Sequence, residues 1–217
     1  MNKIAKFLVL LLFSPLTCAS EGIEDLFVFV GEKISVTEAP EEPAKPCQNK
    51  EGSECITISM DLKYIAKYRV VEIVHGVSPR AEVSFDVYDH WGEPDFAGYK
   101  YALLFVSNFN GKLVHQKNLY FDVYRTRGGK WATCGDPNDY NREGVKPAKL
   151  LNVAFEPSVY FDITHFSTEY IEREYPMPIW QRQGNKVICQ KGVYIDELFR
   201  ITNEGVLKSR RESDEES

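Results

Sequence analysis

Residues 60–76 read Met-Asp-Leu-Lys-Tyr-Ile-Ala-Lys-Tyr-Arg-Val-Val-Glu-Ile-Val-His-Gly, and their pattern recurs through the first half of the chain. Every second position from Leu62 to Val70 is apolar or aromatic, whereas the positions between them carry lysine, arginine and one isoleucine. A period of two residues is that of a β-strand with one buried face. The alternation breaks where Val70 and Val71 stand together, which predicts a β-bulge of the kind that small barrels require.

Further strands are predicted on both sides of this stretch. Leu26–Val36 is an apolar run followed by alternation through Ile34 and Val36. Ala81–Tyr88 alternates throughout, and Tyr99–Val106 is apolar enough to be buried on both faces. Asn110-Gly111 is a strong hairpin signal, because both residues tolerate the positive φ of a tight turn. The chain then returns through short segments at 113–115, 119–124 and 131–134. Short strands separated by turn signals, with no helical period between them, predict an all-β barrel or sandwich.

The first twenty residues have the three parts of an export signal. Lys3 and Lys6 precede an apolar run from Phe7 to Phe13, and the small residues Ala19 and Ser20 follow. The run is too short to span a bilayer. We therefore predict a signal peptide over residues 1–20 and a mature protein that is periplasmic or secreted.

Lipid attachment at Cys18 is the alternative form of export. A lipidation site normally has a small residue directly before the cysteine, and Thr17 fits that position poorly. No later segment is apolar enough to predict an integral membrane segment. The sequence therefore favours soluble export over lipid anchoring.

The charge balance argues against nucleic acid as a partner. The chain has 26 Lys and Arg against 32 Asp and Glu, and removal of Lys3 and Lys6 with the signal takes the net charge from −6 to −8. Each phosphate contact needs a basic side chain that is not neutralised by nearby carboxylates. A protein is therefore the expected partner, and a small ligand stays open as an alternative.

Cysteine usage agrees with an oxidising compartment. With Cys18 set aside, the chain contains Cys47, Cys55, Cys134 and Cys189, and an even number in an exported chain predicts two disulfides. Three pairings are possible. Cys47 and Cys55 flank a short polar turn, so we expect them to pair and to leave Cys134 with Cys189. A zinc site is disfavoured because no Cys-x-x-Cys occurs and no histidine lies at ligand spacing from a cysteine, and no cofactor is predicted.

Beyond Gly135 the pattern changes. Residues 136–207 are expected to form a C-terminal extension packed on the barrel, and part of it is ambiguous between strand and helix. In residues 158–175, strand-like alternation overlaps with a Glu169-Arg173 pair at helical spacing, so an α+β extension is allowed. Residues 208–217 are charged and poor in apolar side chains, which predicts a disordered tail.

The order of strands resembles a known module. The segments that carry the resemblance are Leu26–Glu32, Tyr68–Gly76, Val83–Val87, Gly98–Phe105 and Cys134-Gly135. Together they resemble the netrin-like module that is shared with tissue inhibitors of metalloproteinases. The resemblance implies a small closed OB-type barrel of five strands over residues 21–135.

The mature N-terminus departs from the inhibitors of that family. Those inhibitors begin with a Cys-x-Cys, whose terminal amine and first carbonyl chelate the protease zinc. Cleavage is expected after Ala19 or Ser20, so the mature chain would begin Ser20-Glu21-Gly22 or Glu21-Gly22, and the resemblance does not imply metalloproteinase inhibition by that route. Because the chain carries no catalytic motif, we expect a non-enzymatic binding or inhibitory module that recognises a protein in the envelope or outside the cell. An exported hydrolase is the alternative, with His90 or His165 near its site.

Trp91 is the best single candidate for a binding residue. It lies in the turn Asp89–Asp95 among carboxylates, where a tryptophan either packs over the barrel end or contacts a partner. A metal site in this turn is less favoured, because no second cluster of ligands accompanies it. Asp89–Phe96 and a second turn, Asn108–Lys112, are the loops expected to contact a partner, as loops at one end of OB-type barrels commonly do. Three further aromatic residues near strand ends extend the candidate surface: Tyr88, Tyr120 and Tyr124.

Overall fold

The protein is represented by a computed structural model that describes residues 25–40, 47–48, 54–55, 60–78, 80–137 and 144–215. Its strands are β1 (Leu26–Glu38), β2 (Cys47–Gln48), β3 (Glu54–Cys55), β4 (Leu62–His75), β5 (Glu82–Asp89), β6 (Tyr101–Phe109), β7 (Lys112–Asp122), β8 (Tyr124–Arg125), β9 (Trp131–Cys134), β10 (Leu151–Asn152), β11 (Tyr160–Asp162), β12 (Trp180–Gln183), β13 (Lys186–Cys189) and β14 (Lys191–Tyr194). Its helices are α1 (Thr168–Glu174), α2 (Ile195–Thr202) and α3 (Lys208–Glu215), with a 3-10 helix at Asp95–Gly98 and a π-helical turn at Asn203–Leu207. The predicted export signal lies outside the described residues.

Five strands close into a barrel in the order β1-β4-β5-β7-β6. Neighbouring strands are antiparallel except β5 and β7, which run parallel and share the pair Asp86 and Val114. The last barrel strand along the chain, β7, therefore lies between β5 and β6, which gives a Greek-key barrel of the OB type. The prediction of an all-β fold with a small closed OB-type barrel is confirmed.

A bulge in β4 shapes the pairing with β1. Val70 lies opposite Gly31 and Glu72 lies opposite Val30, so Val71 is an extra residue on β4 with no counterpart on β1. One extra residue bends its strand and increases the local twist, which helps a sheet of few strands to close. The bulge predicted at Val70-Val71 is confirmed.

Leu26–Gly31 of β1 and residues 102–107 of β6 are buried on both faces, as predicted for Tyr99–Val106. One face of β1 and β6 lines the barrel interior, where Phe29 and Leu104 belong to a cluster of buried side chains. The opposite face carries Val28 and Phe105, which pack in a second cluster with Leu198 of α2. Helix α2 therefore covers the outer face of these two strands.

Two small sheets follow the barrel and have a core of their own; β8 and β9 precede Gly135 but belong to the first of these sheets and not to the barrel, whose last strand is β7. β10, β14, β9 and β8 form one sheet, and β11, β13 and β12 form the other. A disulfide joins Cys134 at the end of β9 to Cys189 at the end of β13, with their Cα atoms 6.1 Å apart. The predicted Cys134–Cys189 pairing is confirmed. The backbone places Cys47 opposite Cys55 in the pairing of β2 with β3, while the side chains of these two cysteines lie outside the described residues.

The end of the chain differs from the predicted disordered tail. Residues 208–215 form α3, which continues from α2 through the π-helical turn. The Arg210 guanidinium donates hydrogen bonds of 2.8 Å to Gln116 Oε1 and to the Lys117 carbonyl oxygen on β7. Composition alone predicted disorder because these tertiary contacts cannot be read from a charged segment.

Candidate functional site

The turn after β5 is held by local contacts. Asp89 Oδ1 accepts a hydrogen bond of 2.9 Å from the Trp91 backbone N–H. His90 Nδ1 lies 2.7 Å from the Met60 carbonyl oxygen, which ties the turn to the residues before β4. The His90 and Trp91 rings meet edge to face with their centroids 5.0 Å apart. The indole is therefore presented on a turn that hydrogen bonds fix in place.

Trp91 is exposed over 93% of its surface. Met60 is 71% exposed, and Leu62 and Tyr88 are also exposed. Leu62 lies opposite Asp89 in the ladder between β4 and β5, which places it at the base of the turn. We call Met60, Leu62 and Trp91 the Trp91 patch. Large apolar side chains that are grouped on a surface mark interaction sites, whereas single ones need no explanation.

Polar side chains border the Trp91 patch. Lys117 Nζ lies 2.8 Å and 2.7 Å from the two carboxylate oxygens of Asp61. His90 Nδ1 lies 3.8 Å from the same carboxylate. Burial, followed by the nearby carboxylates of Glu38, Glu93 and Asp89, raises the pKa of the Tyr64 hydroxyl. An apolar centre with a charged rim is the usual composition of a protein interface.

Phe96, rather than Trp91, covers this end of the barrel. Phe96 lies in the 3-10 helix and is fully buried, with its ring centroid 4.8 Å from that of His115 and 5.5 Å from that of Tyr120. The Tyr68 hydroxyl donates a hydrogen bond of 3.2 Å to the Phe96 carbonyl oxygen. Of the two expectations for Trp91, packing over the barrel end is therefore wrong. Sequence reasoning missed Phe96 because one apolar residue inside a polar turn shows no periodicity.

The other predicted aromatic residues do not form one surface with Trp91. The Tyr120 hydroxyl donates to Asp95 Oδ2 at 3.0 Å, and its ring packs on Phe96. The Tyr124 ring packs at 5.9 Å on Phe155, within the core of the extension. Burial raises the pKa of the Tyr124 hydroxyl. Tyr88 is exposed on the outer face of β5, where Lys63 Nζ lies 5.9 Å from its ring centroid, and Leu62 is on the other face of the ladder.

The two histidines of the hydrolase hypothesis lie on separate loops. His90 follows β5, and His165 is exposed in the loop before α1. Asp162, near His165, accepts hydrogen bonds from the Thr164 hydroxyl and backbone N–H, and these bonds lower its pKa. Among the described residues, no serine or cysteine side chain is hydrogen-bonded to either histidine, and no group of three metal-ligating side chains occurs. Nothing in this geometry favours the hydrolase alternative.

The predicted hairpin at Asn110-Gly111 is confirmed. Both residues have positive φ, 51° and 81°, as a two-residue turn between antiparallel strands requires. Phe109, just before the turn, is 68% exposed. The hairpin lies beside the start of β1, because Leu26 pairs with Ser107 on β6. It is therefore at the opposite end of the barrel from the Trp91 patch.

In the described part of the chain, the helices lack the length and hydropathy that a bilayer-spanning segment needs. Comparisons with protein-family models, with curated proteins and with solved structures found no match to this chain.

Proposed function

We propose that this chain is an exported, non-enzymatic module that binds a protein through the Trp91 patch. The observation that carries the proposal is the exposure of Trp91 on a turn that is fixed by hydrogen bonds to the Asp89 carboxylate and to the Met60 carbonyl oxygen. An exposed indole gains free energy on burial, and a fixed turn loses little conformational entropy when it binds. The Trp91 patch thus combines the two properties of an interface centre.

The expected contribution of Trp91 is large for one residue. Truncation of a central interface tryptophan costs about 2 kcal/mol or more, which is about a 30-fold loss of affinity. The Asp61–Lys117 ion pair beside the patch would exclude water from such a contact. Its own contribution is small, because exposed ion pairs contribute about 0–1 kcal/mol.

Export supports a partner outside the cytoplasm. The predicted signal and the Cys134–Cys189 disulfide both fit an oxidising compartment. The resemblance to the netrin-like module is part of this proposal, and the Greek-key order of the barrel supports it. We therefore place the partner in the envelope or outside the cell.

The test uses the mature chain with a photo-reactive amino acid at position 91. A matched derivative carries it at Met177, which is 80% exposed in the extension. We expect cross-linking in native envelope and extracellular fractions to give one protein adduct from position 91 and none from position 177. Trp91→Ala should lower affinity for that protein about 30-fold, while Met177→Ala leaves it unchanged. Equal adducts from both positions, or unchanged affinity in Trp91→Ala, would overturn the proposal.

A further inference from the structure

A cleft of about 1130 Å³ runs along β5, from Asp25 and Asn108 near the Asn110-Gly111 hairpin to Lys63 and Asp86. Its walls include Glu82–Asp86 of β5 on one side and Gly111–Leu113 on the other. Within the described residues, β5 and β7 share one ladder pair, Asp86 with Val114. Because the two strands run parallel from that pair, the residues of β5 before Asp86 lie across the cleft from the start of β7 and do not pair with it. The cleft is therefore a gap in the barrel wall between two strands.

The backbone of β5 has an edge that faces this gap. The Val70 N–H donates a hydrogen bond of 2.8 Å to the Ala81 carbonyl oxygen at the start of the β4–β5 ladder. In an antiparallel ladder, residues alternate between those that bond to the partner strand and those that point away from it. Glu82 and Ser84 therefore direct their N–H and C=O groups away from β4. Asp86 is two residues beyond Ser84, so its backbone groups point the same way, and it pairs with Val114 of β7 on that side.

The charges of the cleft differ in sign from those of the chain as a whole. Its lining includes four basic side chains and three carboxylates, whereas the chain has a net charge of −6. Lys63 and Lys67 are paired with Asp86 at 3.0 Å and Glu82 at 3.3 Å. Among the described residues, the other two basic side chains of the lining, Arg80 and Lys112, form no ion pair. Because the third carboxylate, Asp25, contacts only the neutral Asn108 amide among the described residues, the lining keeps one net positive charge.

Apolar side chains flank the same opening. Val77 lines the cleft and is 85% exposed, and Phe109 at the tip of the hairpin is also exposed. An unpaired strand edge, two basic side chains and flanking apolar groups are together the features by which a sheet binds an extended peptide. Backbone hydrogen bonds would hold such a peptide, and side-chain contacts would select it.

We infer that this cleft binds an extended, acidic polypeptide segment of another protein, which adds as a strand to the edge of β5. The N–H and C=O groups of Glu82 and Ser84 pair with the peptide backbone, and Arg80 and Lys112 contact its carboxylates. The site does not rest on the Trp91 patch, since Ser84 and Trp91 are separated by seven residues, about 23 Å of extended chain. Either site can fail without the other.

The unpaired strand edge distinguishes a peptide from other anions. A polyanion such as a glycan or a nucleic acid needs the charges but has no backbone to pair with Glu82 and Ser84. A third occupant to test is a segment of the same chain, residues 20–24, because these residues directly precede the lining residue Asp25 in the sequence. The experiment separates these three occupants.

The test is selection of a random linear peptide phage library on the immobilised mature chain. We expect enriched peptides to be acidic and to bind the Arg80→Glu/Lys112→Glu variant at least about ten-fold more weakly, since two attractions become repulsions. Ser84→Pro removes the edge N–H that faces the cleft, while Ser84→Ala keeps it. We expect Ser84→Pro to abolish binding and Ser84→Ala to retain it. If Ser84→Pro unfolds the chain, the exposed charge variant decides alone.

Several results would overturn the inference. These are no enrichment, enrichment of peptides without acidic residues, or binding that the charge variant leaves unchanged. A sulfated oligosaccharide that binds the wild-type chain and the Ser84→Pro variant equally, where peptides do not bind, would assign the cleft to a polyanion. Peptide binding that appears only when residues 20–24 are deleted would assign it to the chain's own N-terminal segment.

Discussion

Replacing Phe96 and Trp91 separately by alanine separates the barrel cap from the exposed patch. Phe96 is fully buried against Tyr68, His115 and Tyr120, so Phe96→Ala leaves a cavity and should cost about 3–5 kcal/mol. A tryptophan buries about 250 Å² at most, and 93% of the Trp91 surface is exposed. About 18 Å² of buried area therefore remains, which is worth about 0.4 kcal/mol at about 25 cal/mol per Å².

Urea unfolding followed by far-UV circular dichroism measures both changes. Thermal melts check the same two costs. For a chain of this length, a loss of 1 kcal/mol lowers the melting temperature by roughly 2–4 °C. Phe96→Ala should therefore lower the melting temperature by roughly 6–20 °C, and Trp91→Ala should lower it by roughly 1–2 °C. Fluorescence provides the control on geometry. Trp91→Phe should remove the acrylamide-accessible emission, because the other two tryptophans, Trp131 and Trp180, are buried.

A loss of more than about 2 kcal/mol in Trp91→Ala would refute this reasoning, because it would require contacts that an exposed indole does not have. Equal stability of the two variants would refute it as well. Either result would return Trp91 to the role of a packing residue. The binding proposal would then lose the observation that carries it.

Three further predictions concern the stability of the fold. Burial lowers the pKa of His115 from 6.5 to about 4, so between these pH values the imidazole takes up a proton only in the unfolded state. The free energy of unfolding should therefore fall by up to about 3 kcal/mol as the pH drops from 6.5 to 4. His115→Gln should remove most of that pH dependence in urea titrations. Replacing Cys134 and Cys189 by serine should cost about 4 kcal/mol on the chain-entropy model, measured against the wild type with and without reductant; equal melting temperatures would contradict it. Gly192→Ala places a Cβ against the carbonyl oxygen of the neighbouring strand and should cost about 1–3 kcal/mol, whereas Gly98→Ala meets open space and should be neutral in the same thermal melts.

The barrel could be predicted because the alternation of polar and apolar residues along its strands shows which side chains face the core and which face solvent. β4 has one face in the core and one in solvent, so lysines alternate with tyrosines and the period of two is plain. The bulge at Val71 was visible because two apolar residues in succession break that period. The Asn110-Gly111 turn was visible because few residues adopt positive φ.

The features that sequence reasoning missed depend on contacts between distant segments. Phe96 gains its role from rings on β4 and β7, and no local pattern connects them. Helix α3 is anchored by hydrogen bonds that Arg210 donates to Gln116 and Lys117 of β7, about 90 residues earlier in the chain. The exposure of Trp91 likewise required the structure, since a tryptophan in a turn is compatible with burial or with solvent.

The extension determines which part of the barrel is open to partners. Helix α2 packs on the outer faces of β1 and β6 through Val28 and Phe105, so those faces are closed to other molecules. The outer face of β4 and β5 is not covered in this way, and its outward positions carry Lys67, Ser84 and similar exposed residues. The Trp91 patch lies at one end of this strand pair, and the cleft runs along β5 from Lys63 and Asp86 towards the other end. A single long partner that follows β5 would therefore contact both sites, and its affinity would exceed that for either site alone because the second contact becomes intramolecular.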